Sequence, residues 1–151
     1  MSPVADRPGV SLVHDAPWVD VPGGQRRLLH ADVASGVWAL GVRYQPGSGT
    51  ERHHHTGQVF GWTISGRWMY TEYGIPYTAG SFVHEDAGSA HTLVVPEDNS
   101  EVTEVVFVIH GANLMLDDDN NVIRVNDAAS FSERYRELCL EQSKVVPGAL
   151  A

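Results

Sequence analysis

The chain has one cysteine, Cys139, so an internal disulfide is excluded and a reducing compartment is expected. No apolar run approaches the roughly 20 residues that cross a bilayer, and no membrane partner is expected. The opening stretch MSPVADRPGVSLVHDAP lacks a basic head followed by an apolar segment. No secretion signal is therefore expected, and the cytoplasm is the predicted location. Positive charge is scarce: Lys and Arg total 10 against 19 Asp and Glu, a formal charge of −9. Such a field repels phosphate backbones, so nucleic acid is not an expected partner. There is no internal repeat and no low-complexity linker. A chain of 151 residues reads as one domain, because two halves would be too small for good cores.

What is present is a usual apolar share, 42%, and eight histidines placed unevenly, with His53, His54 and His55 consecutive. Residues 1–36 read as an N-terminal extension with short extended pieces around Trp18–Val21 and Arg27–Ala31. From Val37 short strands alternate with turn residues: Val37–Gln45, His53–Ser65, Arg67–Tyr73, Ile75–Thr78, Ser81–Glu85, His91–Val95, Val102–His110, Asn113–Leu116 and Val122–Val125. Many short strands predict an all-β sandwich or barrel over 37–126. Residues 127–151 form a helix and tail packed on it. Ser130 with Glu133 has the form of a capping box, and Phe131, Tyr135, Leu138 and Cys139 recur at helical spacing.

Two spacings carry the chemistry. Gly47 is followed after five residues by His53, then His55 after one, Val59 after three and Gly66 after six. Gly80 precedes Asp86 by five intervening residues, then Gly88 by one, His91 by two and Val95 by three. Side chains alternate across a strand, so His53 and His55 share a face while His54 points away. A turn at Asp86–Gly88 can return the chain and present His91 to the same point. Residues 47–95 thus resemble the cupin superfamily, with its signatures G-x5-H-x-H-x3-E-x6-G and G-x5-P-x-G-x2-H-x3-N. The resemblance implies a single cupin barrel, the double-stranded β-helix or jelly roll, and a metal held by His53, His55 and His91. The chain departs from the signatures at Val59, Asp86 and Val95.

Val59 cannot coordinate a metal, so a neutral three-histidine face is expected, leaving the ion its full charge and open positions for chelating anions. Three histidines suit Fe(II), zinc, nickel, copper or manganese. The runs Arg52–Gly61 and Gly66–Glu72, with Gly80–Val83, Glu85, Ala87-Gly88 and His91–Val94, resemble the 2,4′-dihydroxyacetophenone dioxygenase group of cupins. The likeness extends over roughly residues 40–140, with departures at His84, Asp86 and His110. It implies Fe(II), O2 as co-substrate, and cleavage of the C–C bond of an aryl α-hydroxyketone or related chelating substrate to two carboxylic acids.

Within that reading Glu85, just ahead of the turn, is the candidate catalytic residue, deprotonating or orienting substrate; its bland alternative is to cap the turn or hold a histidine nitrogen. Val59, Trp62, Arg67, Trp68, Tyr70, Phe82 and His84 are the candidate pocket residues, set against the ordinary use of barrel aromatics as core and of Arg67 as a solvated turn residue. His14, His30 and His110 lack ligand spacing. Asp117–Asn121 is read as a hairpin turn, since Val122 and Ala128 stand where a calcium loop needs Gly and Glu. Alternative functions are redox-neutral isomerisation or cyclisation on zinc or nickel, and a sensor or binding module resembling anti-sigma cupin domains. A homodimer is expected, with 1–36 as its arm, because exposed sheet edges favour pairing.

Overall fold

Thr103–His110 carries five consecutive apolar residues, Val105–Ile109, and in the computed structural model, which describes residues 15–150, it is a strand with every second side chain buried. Residues 1–14, which include His14 and open the expected dimer arm, and Ala151 lie outside the described residues. The strands are β1 (Val19–Val21), β2 (Gly24–Asp32), β3 (Val37–Tyr44), β4 (His53–His55), β5 (Val59–Ser65), β6 (Arg67–Tyr70), β7 (Tyr77–Thr78), β8 (Phe82–Glu85), β9 (Ala90–His91), β10 (Leu93–Val94), β11 (Thr103–His110), β12 (Asn113–Leu116) and β13 (Val122–Asn126). One helix, α1 (Ala128–Glu141), follows. The fold is the expected all-β barrel with a C-terminal helix.

A six-stranded antiparallel sheet runs β1-β2-β3-β11-β5-β8; opposite it lie β10-β6-β7 and β13-β12-β4-β9. Across the β3–β11 ladder Val42 opposes Val105, Leu40 opposes Phe107 and Trp38 opposes Ile109, so large side chains stack in pairs on the inner face. They meet Trp68, Tyr70 and Leu93 of the facing strands in one core. Each such fully buried side chain contributes about 1.5–3 kcal/mol relative to exposure.

The expected single strand His53–Ser65 is two strands. The backbone breaks at Thr56-Gly57-Gln58, where the chain leaves the sheet containing β4 and enters the one containing β5. Gly57 lies so close to the His110 carbonyl that a Cβ would stand 2.1 Å from its oxygen. Among the signature glycines Gly66 has a clear steric role, at φ +78°, where a Cβ would meet the Thr103 Cα at 2.5 Å.

The helix starts earlier than expected, and its capping box is not Ser130–Glu133. Asp127 is the cap: its carboxylate accepts from the Ser130 backbone N–H at 2.8 Å, and the Ser130 hydroxyl accepts from the Asp127 N–H at 2.9 Å. Ser130 therefore occupies the third helical position. Tyr135 and Cys139 pack on Val19 and Leu28 in a second small core. The Tyr135 hydroxyl donates to the Pro17 carbonyl at 2.6 Å. The Gln142 side chain bonds both the N–H and the carbonyl of Asp20, at 2.7 and 2.8 Å. No helix among the described residues is long and apolar enough to cross a membrane.

Candidate metal centre

On β4, His53 and His55 are buried and His54 is half-exposed, as alternation requires. β4 lies between β12 and β9: His53 opposes His91 on one side and Met115 on the other, while His55 opposes Asn113. The pairing β4–β9 depends on the turn after Asp86, where the Gly88 N–H donates to the His55 carbonyl at 2.7 Å. Three rings from two strands thus converge, with centroids 4.8, 5.1 and 4.9 Å apart and one ligand atom from each within 4.8 Å of the others.

The outward nitrogens are occupied. His53 Nδ1 lies 2.8 Å from the Glu51 carbonyl oxygen, His55 Nδ1 lies 2.7 Å from Asn113 Oδ1, and His91 Nδ1 lies 3.4 Å from the Tyr73 hydroxyl. A carbonyl only accepts, so His53 Nδ1 carries a proton and its Nε2 presents a lone pair inward. The same holds at His55 with Asn113 Oδ1 as acceptor. His55 Nε2 and His91 Nε2 stand 3.0 Å apart. The Tyr73 hydroxyl can donate to or accept from His91 Nδ1, so the two Nε2 atoms can share either a proton or a cation.

Glu85 lies beside both. Its Oε2 is 3.0 Å from His55 Nε2 and its Oε1 3.6 Å from His91 Nε2. Both oxygens are buried, and neither meets hydrogen-bond geometry with any group among the described residues. Burial by itself would raise the Glu85 carboxyl, but the close approach of His55 and His91 overrides it and holds the group below the usual range. Burial, reinforced by the neighbouring His55 and His91, pushes His53 down to about 4 against the bond from Glu51. The donor set and the uncompensated carboxylate fit a divalent cation.

His53, His55 and Glu85 border a cavity of about 600 Å³, whose other walls include the apolar Leu40, Val59, Phe107 and Ile109, Phe131 and Tyr135 of α1, and the polar Arg26, Glu51 and Arg124. Tyr70 stacks on His91 with ring centroids 3.7 Å apart and planes at 24°.

Of the expected pocket residues, Val59 and Tyr70 line this cavity and Glu85 joins them. The others do not; for Trp62, Phe82 and His84 the reason is parity. Inward positions of β5 are Val59, Gly61 and Thr63, which turns Trp62 outward; on β8 Val83 and Glu85 face in, which turns Phe82 and His84 out. Trp62 and Phe82 are 48% and 62% exposed and pack on one another outside the barrel, and His84 lies against Phe60. Trp68 is fully buried in the core, its indole N–H bonded to Thr63 Oγ1 at 2.9 Å. Arg67 is held at the barrel end by Asp98 and Asn99. Sequence reading missed Asn113, because its partnership with His55 exists only in the β4–β12 register. It also missed Phe131 and Tyr135 as cavity walls, since helical spacing marks an apolar face but not what lies beneath it.

A profile of the ChrR cupin-like domain matches residues 7–113. The chain belongs to this cupin family. A protein of unknown function with a cupin-like fold from Ralstonia eutropha JMP134 is 34% identical, over 80% of this cupin and 75% of that chain, with a TM-score of 0.77. An RmlC-like cupin from the same organism is 27% identical over 96% and 95% of the two chains, with a TM-score of 0.83. The acetylacetone dioxygenase of Acinetobacter johnsonii shares the fold at 19% identity, 85% and 91% coverage and a TM-score of 0.73. Among curated proteins there is no sequence match.

Proposed function

We propose that this cupin is a non-haem Fe(II) dioxygenase that uses O2 to cleave a C–C bond of an aryl α-hydroxyketone or related chelating substrate. The observation that carries the reading is the convergence of three histidine nitrogens and one carboxylate without a hydrogen bond among the described residues, beside a cavity that His53, His55 and Glu85 border. A dioxygenase of the same fold, named for a small diketone, lends support.

His53, His55 and His91 would hold the ion through their inward nitrogens. When bound, the ion supplies the positive charge that gathers two substrate oxygens and the electrons that O2 activation requires. Glu51, Asn113 and Tyr73 keep the imidazoles aimed, as outer partners of metal-binding histidines do. Glu85, ionised and without a hydrogen bond, takes the proton that the substrate gives up on chelation. Val59, Leu40, Phe107 and Ile109 exclude water and seat the aryl ring. Incubation of the Fe(II)-loaded protein with a panel of aryl α-hydroxyketones, then O2, should consume equimolar O2 and yield two acids. No consumption across a varied panel overturns the reading.

A sensor role is favoured by one observation, the family itself. Stoichiometric zinc in protein purified without chelators, with no turnover in the presence or absence of O2, would favour it. We include a homodimer in the proposal. β1 and β8 are the edges of the six-stranded sheet, and open edges invite pairing. A monomer by light scattering well above micromolar concentration refutes it.

A further inference from the structure

Three arginines border the cavity, and two of them already have acids. Arg124 pairs with Glu51 at 2.9 Å, and Arg134 pairs with Glu137 and Glu141 at 3.1 and 3.4 Å. Arg26, half-buried, has no acidic partner and no hydrogen bond from its guanidinium among the described residues, although acids outnumber bases 19 to 10 in the chain. Its place on the strand makes this costly. β2 turns Arg26 and Leu28 to the inner face of the sheet, and the residues opposite Arg26 in its two ladders are Val19 and Val42, 0% and 2% exposed. A cation with apolar neighbours on both sides and no counter-charge adds nothing to the packing of the sheet. Tyr44 stands next to it. Tyr44 opposes Gly24 in the same β2–β3 ladder, two positions from Arg26, so the two side chains are diagonal neighbours on one face. Tyr44 is 4% exposed and lines the cavity, and its hydroxyl has no hydrogen-bond partner among the described residues. Burial pushes the phenol up and keeps it protonated; the charge on Arg26 opposes that shift and Glu85 adds to it. A free guanidinium and a free hydroxyl thus enter the cavity from the six-stranded sheet, while His53 and His55 enter it from the sheet opposite.

We propose that Arg26 and Tyr44 form an anion subsite, and that the substrate carries a carboxylate that docks there while its chelating oxygens face the histidines. The guanidinium offers the acid two parallel charge-assisted hydrogen bonds, and the Tyr44 hydroxyl donates a third. The walls Leu40, Val42 and Phe107 seat the apolar body of the same molecule, so a bare acid gains only the polar part of the site. The identity of the ligand as substrate rests on the dioxygenase reading; the subsite itself rests only on the cavity and these two side chains. Arg26 and Tyr44 then select acid-bearing aryl α-hydroxyketones from neutral ones of the same shape.

The test is calorimetric titration of the metal-free chain with aryl hydroxymethyl ketones that carry either a carboxylate or the isosteric carboxamide at the meta or para position, with acetate as the bare acid. Arg26→Met, Arg26→Gln and Tyr44→Phe are titrated alongside, with Arg136→Met, on the exposed side of α1, as the control. Thermal melts report folding, and Arg26→Gln decides the question if Arg26→Met does not fold. The parent should bind a carboxylate at least about tenfold more tightly than its carboxamide. Both Arg26 variants should erase that preference and keep carboxamide affinity within about threefold of the parent. Tyr44→Phe should reduce the preference, and Arg136→Met should leave it unchanged. Equal affinity of the parent for carboxylate and carboxamide, or a preference that survives the loss of Arg26, overturns the proposal. Acetate bound as tightly as the aryl acids overturns it too, because the site then takes free anions. Oxygen uptake by the Fe(II)-loaded chain separates the two readings. Turnover of acidic and neutral ketones with equal KM overturns the subsite and supports the dioxygenase. A carboxylate preference that is lost with Arg26, in a chain that consumes no O2 with any ketone, supports the subsite and overturns the dioxygenase.

Discussion

Asn113 and His55 are joined across β12 and β4 by an Oδ1–Nδ1 approach of 2.7 Å, which fixes the imidazole tautomer and points its other nitrogen at the cavity floor. Replacing Asn113 with Leu keeps the volume and removes the acceptor. Metal affinity should drop about 10–100-fold with the fold intact, as measured by competition against a chromophoric chelator. Unchanged affinity would show that the ring is held by packing alone.

Metal occupancy should also be visible as stability. An ion that binds only the folded chain, at about 100 times its dissociation constant, adds about 2.7 kcal/mol. Urea unfolding with and without a chelator should resolve that increment in the parent, and His91→Ala should abolish it. An equal increment in His91→Ala would place the ion elsewhere.

Acid should weaken the metal-free protein in two stages. His53 has a folded pKa of about 4 against an ordinary 6.5, so the unfolded chain binds the extra proton between these values. The stability His53 contributes is full above about pH 6.5 and is lost as pH falls toward 4, on the order of 3 kcal/mol in all. Glu85, held below its ordinary 4.5, adds a further loss below that pH. Urea midpoints at pH 7, 6 and 5 check the first stage; a flat profile contradicts it.

Gly66→Ala and Gly80→Ala separate two costs of a left-handed backbone. Both glycines have positive φ, +78° and +88°, but a Cβ at Gly80 meets nothing within 4 Å, whereas one at Gly66 strikes Thr103. Gly80→Ala should cost about 1–2 kcal/mol, and Gly66→Ala at least about 1–3 kcal/mol more. Equal losses in thermal or urea melts would mean that the Thr103 strand gives way freely.

The corrected helix start has its own check. Asp127→Ala removes the side chain that accepts the Ser130 N–H and should cost about 1 kcal/mol. Glu133→Ala, at the position the sequence pattern favoured, should change stability by less than about 0.5 kcal/mol.

These cases mark what could be read before the fold was seen. Side-chain parity puts His53 and His55 on one face whatever the partners, and turn glycines bring His91 back, so the cluster was legible from spacing. Parity within β5 and β8 was equally fixed by their strand form: with His53 and His55 inward, Trp62 falls outward even along an unbroken His53–Ser65 run, and with Glu85 inward so do Phe82 and His84; the break at residues 56–58 leaves that parity unchanged. The pairing of His55 with Asn113, 58 residues apart, belongs to the ladder and has no local trace. The cap was misread because Ser130 suits either end of a reciprocal capping pair, and only the backbone at Asp127 decides which.

The hold of Gln142 on Asp20 spans 122 residues. A ribosome releases the amino end first, so during synthesis Asp20 emerges long before Gln142, and Val19 and Leu28 remain without their cover from Tyr135 and Cys139 until α1 is made. A nascent chain stalled short of the helix offers an apolar strip for chaperones to grip.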